Sequence, residues 1–575
     1  MLRGRNRPVV ATLSGGALRL GGWGHFQRDR MICLLHGWLL EGSGSNLWTR
    51  SITTALCRSG ETVHLVCQEN HPDRYEAIAE AYRYRLSGEV EKTLSRESPY
   101  SGRCILHQPE IGDTLPVFVW DHYEEYERVV PMIELSDEEI ELYVDRNVRV
   151  VQRIVEAHPI SAIHANHVVL MAVVAQRVSK ATGVPYAVMP HGSGIEYAVK
   201  KDPRFKRYAS SALGDAKRIF VIGREMRERV TTVFDAVPRL EEKFTELHLG
   251  VDTAQFEPVF REGREANIRA LRAALEGMPR GKTNQQTRTL RERVSGEMSR
   301  EQLSALFADC SEYDGKRPDE DVETRLASVD WTTAPTLLFI GRIISMKGLQ
   351  SVLAALPLVL DAIPSLRLIV VGHGPLREAM EAFLWALHRG DRALARNIMD
   401  WGRFLEKSPE ADSSGGGLKE VQSWFGDHER HARLDDYFEI ARRRVTPDTV
   451  IFTGYLTHRE LRFLFPCCDV GVFPSVVREA GPLVFLEALA SGCFPLGTYF
   501  GGMAASIDAL AAEVPPDVAE TMKLDPDRTV SDIVERVRRA VELSDRYKPT
   551  FARIAREKYD WVSVAQTLRR TLESL

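Results

Sequence analysis

Two carboxylates stand eight positions apart in the stretch Asp469–Met503, DVGVFPSVVREAGPLVFLEALASGCFPLGTYFGGM. Glu479 falls in a loop after the apolar strand Val470–Phe473, and Glu487 falls inside a helix that the pattern predicts over Leu483–Ala490. Pro482 opens that helix, because its missing amide hydrogen has no partner in a first turn. Gly492 closes it. At about 1.5 Å rise per residue, Glu487 lies roughly 7–8 Å beyond the helix start. A ligand lying across that helix start would reach both carboxylates, with an anionic centre held between them by free amides and the dipole. Sugar hydroxyls, a diphosphate and ribose hydroxyls come in that order in a nucleotide sugar. A buried helix with one capping and one surface glutamate has the same spacing, so the stretch alone leaves both readings open.

Other chemistry-bearing residues also sit after strands. Gly341-Arg342 ends an apolar run, and Lys347-Gly348 follows in the same loop. Two cations leaving a strand end make a diphosphate clamp, though a surface Arg and Lys beside a helix start read the same way. The loop Gly42-Ser-Gly44-Ser-Asn46 lets a phosphate or sugar approach a helix start, but it matches neither the dinucleotide fingerprint nor the Walker loop. His191-Gly192 follows the strand Tyr186–Met189, and His164-Ala-Asn-His167 follows another. A packed, satisfied ring is the commoner fate of a single histidine. Asp319-Glu-Asp321 imitates a metal-binding pair but reads as solvated charge, having no strand before it. No His/Cys cluster has metal-ligand spacing, so no metal is expected.

The elements that must position these residues alternate. Met31–Leu35, Val63–Cys67, Ala162-Ile163, Tyr186–Met189 and Ile219–Ile222 are apolar strands, with helices between them such as Leu47–Arg58. A second alternation starts at Thr336, resumes at Val450–Gly454 and ends in a helix near Phe551–Leu575. Such alternation means parallel sheets covered by helices, with ligands at the carboxyl ends of the strands. The chain has 575 residues, which is room for two domains. Hydrophobic content of 44%, charged content of 27% and a net charge of −5 exclude neither enzyme nor binding protein. They give no reason to expect nucleic acid. Eight scattered cysteines read as reduced core thiols of a cytoplasmic protein.

The expected organisation is a disordered or mis-started tail over 1–30, with Met31 as the true start, and an N-terminal acceptor domain over 31–258 joined by the final helix 551–575. A charged helical insertion or linker follows over 259–333. A nucleotide-sugar domain then spans 334–550, interrupted by a helical insertion at 377–447 that contains a flexible link at Ser413–Gly417. The arginine-rich first insertion reads as a solvated helical face, with peripheral contact at the inner membrane surface as its alternative.

Taken together, GRIISMKG, LIVVGHGPL and REAGPLVFLEALASGCFP with its trailing Gly-Gly resemble glycosyltransferase family 4, and MPHG and LHLGVDTAQFEP support the resemblance. It covers about residues 31–258 and 334–575, leaving the two insertions unmatched. It implies the GT-B fold: two Rossmann-like, doubly wound α/β domains facing across a cleft. It also implies a metal-independent, retaining, hexosyltransferase-type enzyme with no cofactor. The donor, a UDP- or GDP-linked sugar, would be held by Gly44, Gly341, Arg342, Lys347, Glu479, Gly481, Pro482, Leu483 and Glu487. Its catalytic groups would be His191, Arg342, Lys347 and Glu479. The acceptor would be a glycan, a lipid or a small molecule. Where the family has Phe-Gly after its first glutamate, this chain has Gly481-Pro482. Two alternatives remain: a nucleotide-sugar epimerase or hydrolase of the same fold, and a non-catalytic, transferase-like scaffold subunit.

Overall fold

The computed structural model describes residues 31–41, 43–118, 126–407, 415–479 and 481–575. The expected tail over 1–30, Gly42, and Ser413-Ser414 of the expected link lie outside the described residues.

Two sheets organise the described residues. The first is nine-stranded, in the order Phe244–Glu246, Arg218–Val221, Tyr186–Met189, Ile160–Asn166, Met31–Leu35, Thr62–Val66, Arg103–Pro109, Ile78–Tyr84 and Val90–Ser95. All its pairs are parallel except the last, an antiparallel hairpin at the edge. Alternate residues of Met31–Leu35 serve two cores: Cys33 and Leu35 on one face, Ile32 and Leu34 on the other. A strand apolar on both faces belongs at the centre of a helix-covered parallel sheet. The second sheet is parallel throughout, in the order Val450–Gly454, Arg367–Val371, Thr336–Ile340, Val470–Phe473, Phe494–Thr498 and Lys523-Leu524.

The lobes are joined twice, and the two crossings lie side by side. The Val251 amide donates to the Tyr559 carbonyl (2.7 Å), and the Trp561 amide donates to the Val251 carbonyl (3.2 Å). The helix expected from Phe551 is two: Thr529–Ile554 stays with the second lobe, where Phe551 is fully buried, and Trp561–Glu573 packs on the first.

The first insertion differs from the expectation of solvated charge, and the second is what it packs against. The helix Arg261–Leu275 carries a buried stripe, Ile268, Leu271 and Leu275, that joins the second-lobe core. Arg264 is wholly buried on the same face, with Nη2 2.6 Å from Asp469 Oδ1. Asp319 is buried too, its Oδ2 2.7 Å from Arg377 Nη2 and its amide on the Thr453 carbonyl. Lys282 sits 2.8 Å from Glu381, and Glu381 lies 2.6 Å from Arg377. Lys282 and Asp319 come from the first insertion, Arg377 and Glu381 from the second. The two insertions are therefore locked to each other by buried opposite charges.

Candidate functional site

The helix Gly44–Arg58 begins three residues before the expected Leu47. Ser43 is its cap, and the Ser43 hydroxyl accepts from the Asn46 amide at 3.3 Å. Gly44 is thus the first helical residue, and a side chain there would meet nothing within 4 Å. His191 ends the extended run after Tyr186–Met189 and precedes a single helical turn, Gly192–Gly194.

In the second lobe, Glu479 and Glu487 take the expected loop and helix positions, with Pro482 as the cap of Leu483–Ala490. Lys347 Nζ lies 2.8 Å from Glu479 Oε1, so the expected cation and the expected sugar-facing carboxylate neutralise one another here. The loop is pinned from two sides. Val476 donates its amide to the Met346 carbonyl, and Gly502 donates to the Glu479 carbonyl. Gly348 turns the clamp loop at φ +79°, and a side chain on it would strike the Pro474 carbonyl at 1.9 Å. Only glycine satisfies both conditions. Arg342 is exposed near His373, whose ring is held below its ordinary range by burial first and by Arg377, Lys282 and Arg342 after it.

A cavity of about 350 Å³ lies between the lobes, walled by Gly44, Trp48 and His191 from one side and by Arg478, Gly481 and Leu483 from the other. A second, of about 420 Å³, shares Leu483 and takes in Glu487, Arg50 and Arg58. The structure thus brings Gly44, His191, Gly481 and Leu483 onto one cavity and Glu487 onto its neighbour. Gly341, Arg342, Lys347, Glu479 and Pro482 line neither. Gly481 lies hard against the first lobe, because a side chain there would meet Leu249 at 2.2 Å.

Several residues of the site went unread in the sequence. His458 Nε2 is 2.7 Å from Glu487 Oε1, and that hydrogen bond pushes the imidazole above its ordinary range despite burial. The capping box Thr457-x-x-Glu460 marks the helix start that carries it, but no local pattern joins it to Glu487. Asp469 accepts from Arg261, Arg264 and Thr336, tying the start of the motif to the first insertion. In the first lobe, His36, His164 and His191 are buried, and desolvation lowers their rings to about 4, about 4 and about 3. His167, also buried, has both ring nitrogens unpartnered and a φ of +66°. Among the described residues no group of three or more His, Cys, Asp or Glu could hold a metal ion, and no helix is long and apolar enough to cross a membrane. All eight cysteines are buried and unpaired.

Residues 43–241 match the family model for a glycosyl transferase 4-like domain, and residues 422–535 match that for glycosyl transferases group 1. No curated protein sequence matches the chain. Among solved structures, a glycosyltransferase from Rickettsia africae aligns at 11% identity and TM-score 0.51, over 96% of this chain and 99% of that one. The catalytic domain of starch synthase IV from Arabidopsis thaliana, bound to ADP and acarbose, aligns at 12% and 0.50, over 95% and 99%. Anabaena Alr3699/HepE in complex with UDP aligns at 14% and 0.49, over 95% and 100%. At such identities the first two likenesses show the fold, which is GT-B.

Proposed function

We propose, starting from a chain that belongs to the group 1 glycosyltransferases of the family-4-like type, that it transfers a sugar from a UDP- or GDP-linked donor to a hydroxyl acceptor with retention at the anomeric carbon. The observation that carries this reading is the meeting of two helix starts, at Gly44 and Leu483, with His191 on one inter-lobe cavity. Two helix starts on the wall of one space suit a diphosphate.

In this reading the bond from the anomeric carbon to the diphosphate oxygen breaks, and negative charge collects on the leaving diphosphate. Arg342, Lys347 and the amides at Leu483 stabilise that charge where it develops. The acceptor oxygen attacks the same face of the sugar, and its proton passes to a diphosphate oxygen. Glu479 positions sugar hydroxyls and does not act as a nucleophile. The Lys347–Glu479 ion pair then holds both groups in place until the donor divides them, the diphosphate taking the lysine and the sugar the carboxylate. Glu487, held by His458, receives the ribose hydroxyls. The acceptor class, a glycan, lipid or small molecule, belongs to the first lobe.

A thermal-shift panel of nucleotide sugars tests the reading, since a ligand stabilises by RT ln(1 + [L]/Kd). A shift with one donor and not its relatives names base and sugar. No shift with any donor defeats the proposal. Glu487→Ala should weaken the free nucleotide, whereas Glu479→Ala should spare it and lose turnover.

A further inference from the structure

The first lobe puts the His191 imidazole on the wall of the shared cavity, 8% exposed. Behind it a chain of hydrogen bonds runs back to the backbone of the helix Gly44–Arg58. The Thr49 hydroxyl lies 2.8 Å from the Ser45 carbonyl. A carbonyl only accepts, so Thr49 Oγ1 donates its single proton there and must accept from its other neighbour. That neighbour is Asn166, whose side-chain nitrogen is 2.8 Å away. The orientation of the Asn166 amide follows from its partners: Nδ2 faces Thr49 and Oδ1 faces the histidines. Asn166 Oδ1 is 3.2 Å from His191 Nε2 and 3.3 Å from His164 Nε2. An amide oxygen also only accepts, so both rings carry their proton on Nε2. A neutral imidazole has one N–H, which leaves Nδ1 of His191 as a lone pair. His164 Nδ1 is sealed from solvent without a partner, whereas His191 Nδ1 is not sealed and makes no hydrogen bond among the described residues.

We infer that Asn166, oriented by Thr49, is a positioning residue that locks His191 in the Nε2–H tautomer, so that Nδ1 meets the cleft as a hydrogen-bond acceptor and selects a ligand hydroxyl. This rests on the nucleotide-sugar reading and adds to it: the sugar must turn an O–H, not a bare acceptor, toward the first lobe at this point. The ring stays in that state at neutral pH. Burial keeps it uncharged, and His36, His164 and His167, which face it, are held neutral in the same way. Glu196, Arg229 and Arg478 are the charged groups on the cavity rim. The motif His164-Ala-Asn-His167 thus contributes through its asparagine.

The full chain, labelled with ¹⁵N at the histidine ring nitrogens, reports the tautomer directly, with His191→Asn assigning the signals by their loss. The wild type should show a protonated Nε2 and an unprotonated Nδ1 at neutral pH. Thr49→Val keeps the shape of the side chain but frees the Asn166 amide to turn. The ring should then lose its single tautomer, and Thr49→Ser should restore it. Calorimetry with the nucleoside diphosphate, and with the nucleotide sugar selected by the panel, separates two contributions. Thr49→Val should leave the diphosphate affinity alone and weaken the gain due to the sugar about three- to tenfold, the worth of one neutral hydrogen bond. An Nδ1–H ring in the wild type overturns the inference, as does an unaltered tautomer or an unaltered sugar gain in Thr49→Val. Should Thr49→Val fail to fold, Asn166→Asp is the second variant. Its carboxylate still accepts from Nε2–H and raises the ring's titration toward neutrality, and an unmoved titration overturns the inference. A chain that binds no nucleotide would defeat the proposed function, while the ring signals still decide the tautomer.

Discussion

The two lobes bury polar side chains by opposite means. In the second, Lys282 and Asp319 meet Arg377 and Glu381 as full charges taken out of water in compensating pairs. In the first, His36 with Asn46, His164 and His191 with Asn166, and His64 with His107 are joined by hydrogen bonds between uncharged groups. A buried ion depends on its counter-ion and fails when that partner is removed. A neutral network depends on which atom holds each proton, and fails when protons are added. At the cleft the first lobe adds its uncharged ring, His191, to a rim that carries Glu196 and Arg229, while the Lys347–Glu479 ion pair of the second lobe lies beside the cavity.

Acid should therefore separate the lobes, and this is the largest effect expected. An unfolded histidine titrates near 6.5, whereas burial lowers His36 and His164 to about 4 and His191 to about 3. Between those values the unfolded chain binds protons that the folded chain refuses. Stability is thus fully present above pH ~6.5 and is lost as pH falls below it. Each such group is worth at most about 1.4 kcal/mol per pH unit, so the three together approach ~4 kcal/mol per unit in the middle of that window, near pH ~5. In the second lobe, Lys282 and Arg377 outweigh burial and hold the Glu381 carboxyl at about 2. Its contribution falls only below its ordinary value of 4.5, on the way down to about 2. Hydrogen exchange followed by peptide should show the first lobe opening in mild acid while the Thr336–Ile340 and Val470–Phe473 strands stay protected. Simultaneous loss in both lobes would break the comparison.

Asp319→Ala makes the opposite demand and should cost about 3–5 kcal/mol, the usual result of stripping one partner from a buried pair. Arg377 would keep Glu381 but lose Asp319, with its guanidinium only 1% exposed. Urea denaturation should register the loss, with exchange rising around Asp319 and in the helix Arg377–Arg389. Adding Arg377→Met should recover part of it. No recovery would mean that packing, not charge, holds the two insertions together.

These two cores differ in how far the sequence announced them. Strands such as Thr336–Ile340 and Val470–Phe473 were legible because each is a short apolar run bounded by turn residues. Leu483–Ala490 was legible from a proline and a glycine at its two ends. The strands Ile78–Tyr84 and Val90–Ser95 were not read, since one is only partly buried and the other mostly exposed, leaving little apolar pattern. Asp319 looked like surface charge because its partner Arg377 is 58 residues away, and a charge run does not say which member turns inward. Arg264 hid in the same way, although the stripe Ile268, Leu271, Leu275 was there to be seen. At the site, motif residues were legible and their tertiary partners were not: Glu487 was read without His458, and His191 without Asn166 and Thr49.

Glycines at the cleft rank next, and they sharpen what each lobe tolerates. Gly348→Ala would place a β-carbon in the left-handed region at φ +79°, against a backbone carbonyl that no rotamer can move. Strain of this kind costs about 1–3 kcal/mol, with the displacement of the Pro474 carbonyl added to it. Thermal unfolding should report the drop. Nucleotide affinity should fall with it, because Lys347 is the preceding residue.

Gly481→Ala should do least to stability although its contact is nearly as close. The atom it meets is Leu249 Cδ1, the tip of a side chain that can rotate away, and Gly481 is not among the glycines with positive φ. The expected cost is under about 1 kcal/mol, since repacking one aliphatic tip falls at the mild end of overpacking. The change should be felt at the seam between the lobes, as slower turnover with near-normal unfolding. Leu249→Ala in the same chain should restore turnover by making room for the new methyl. Turnover that stays low in the double variant would place the need for glycine in the loop itself, and the seam would then belong to the second lobe alone.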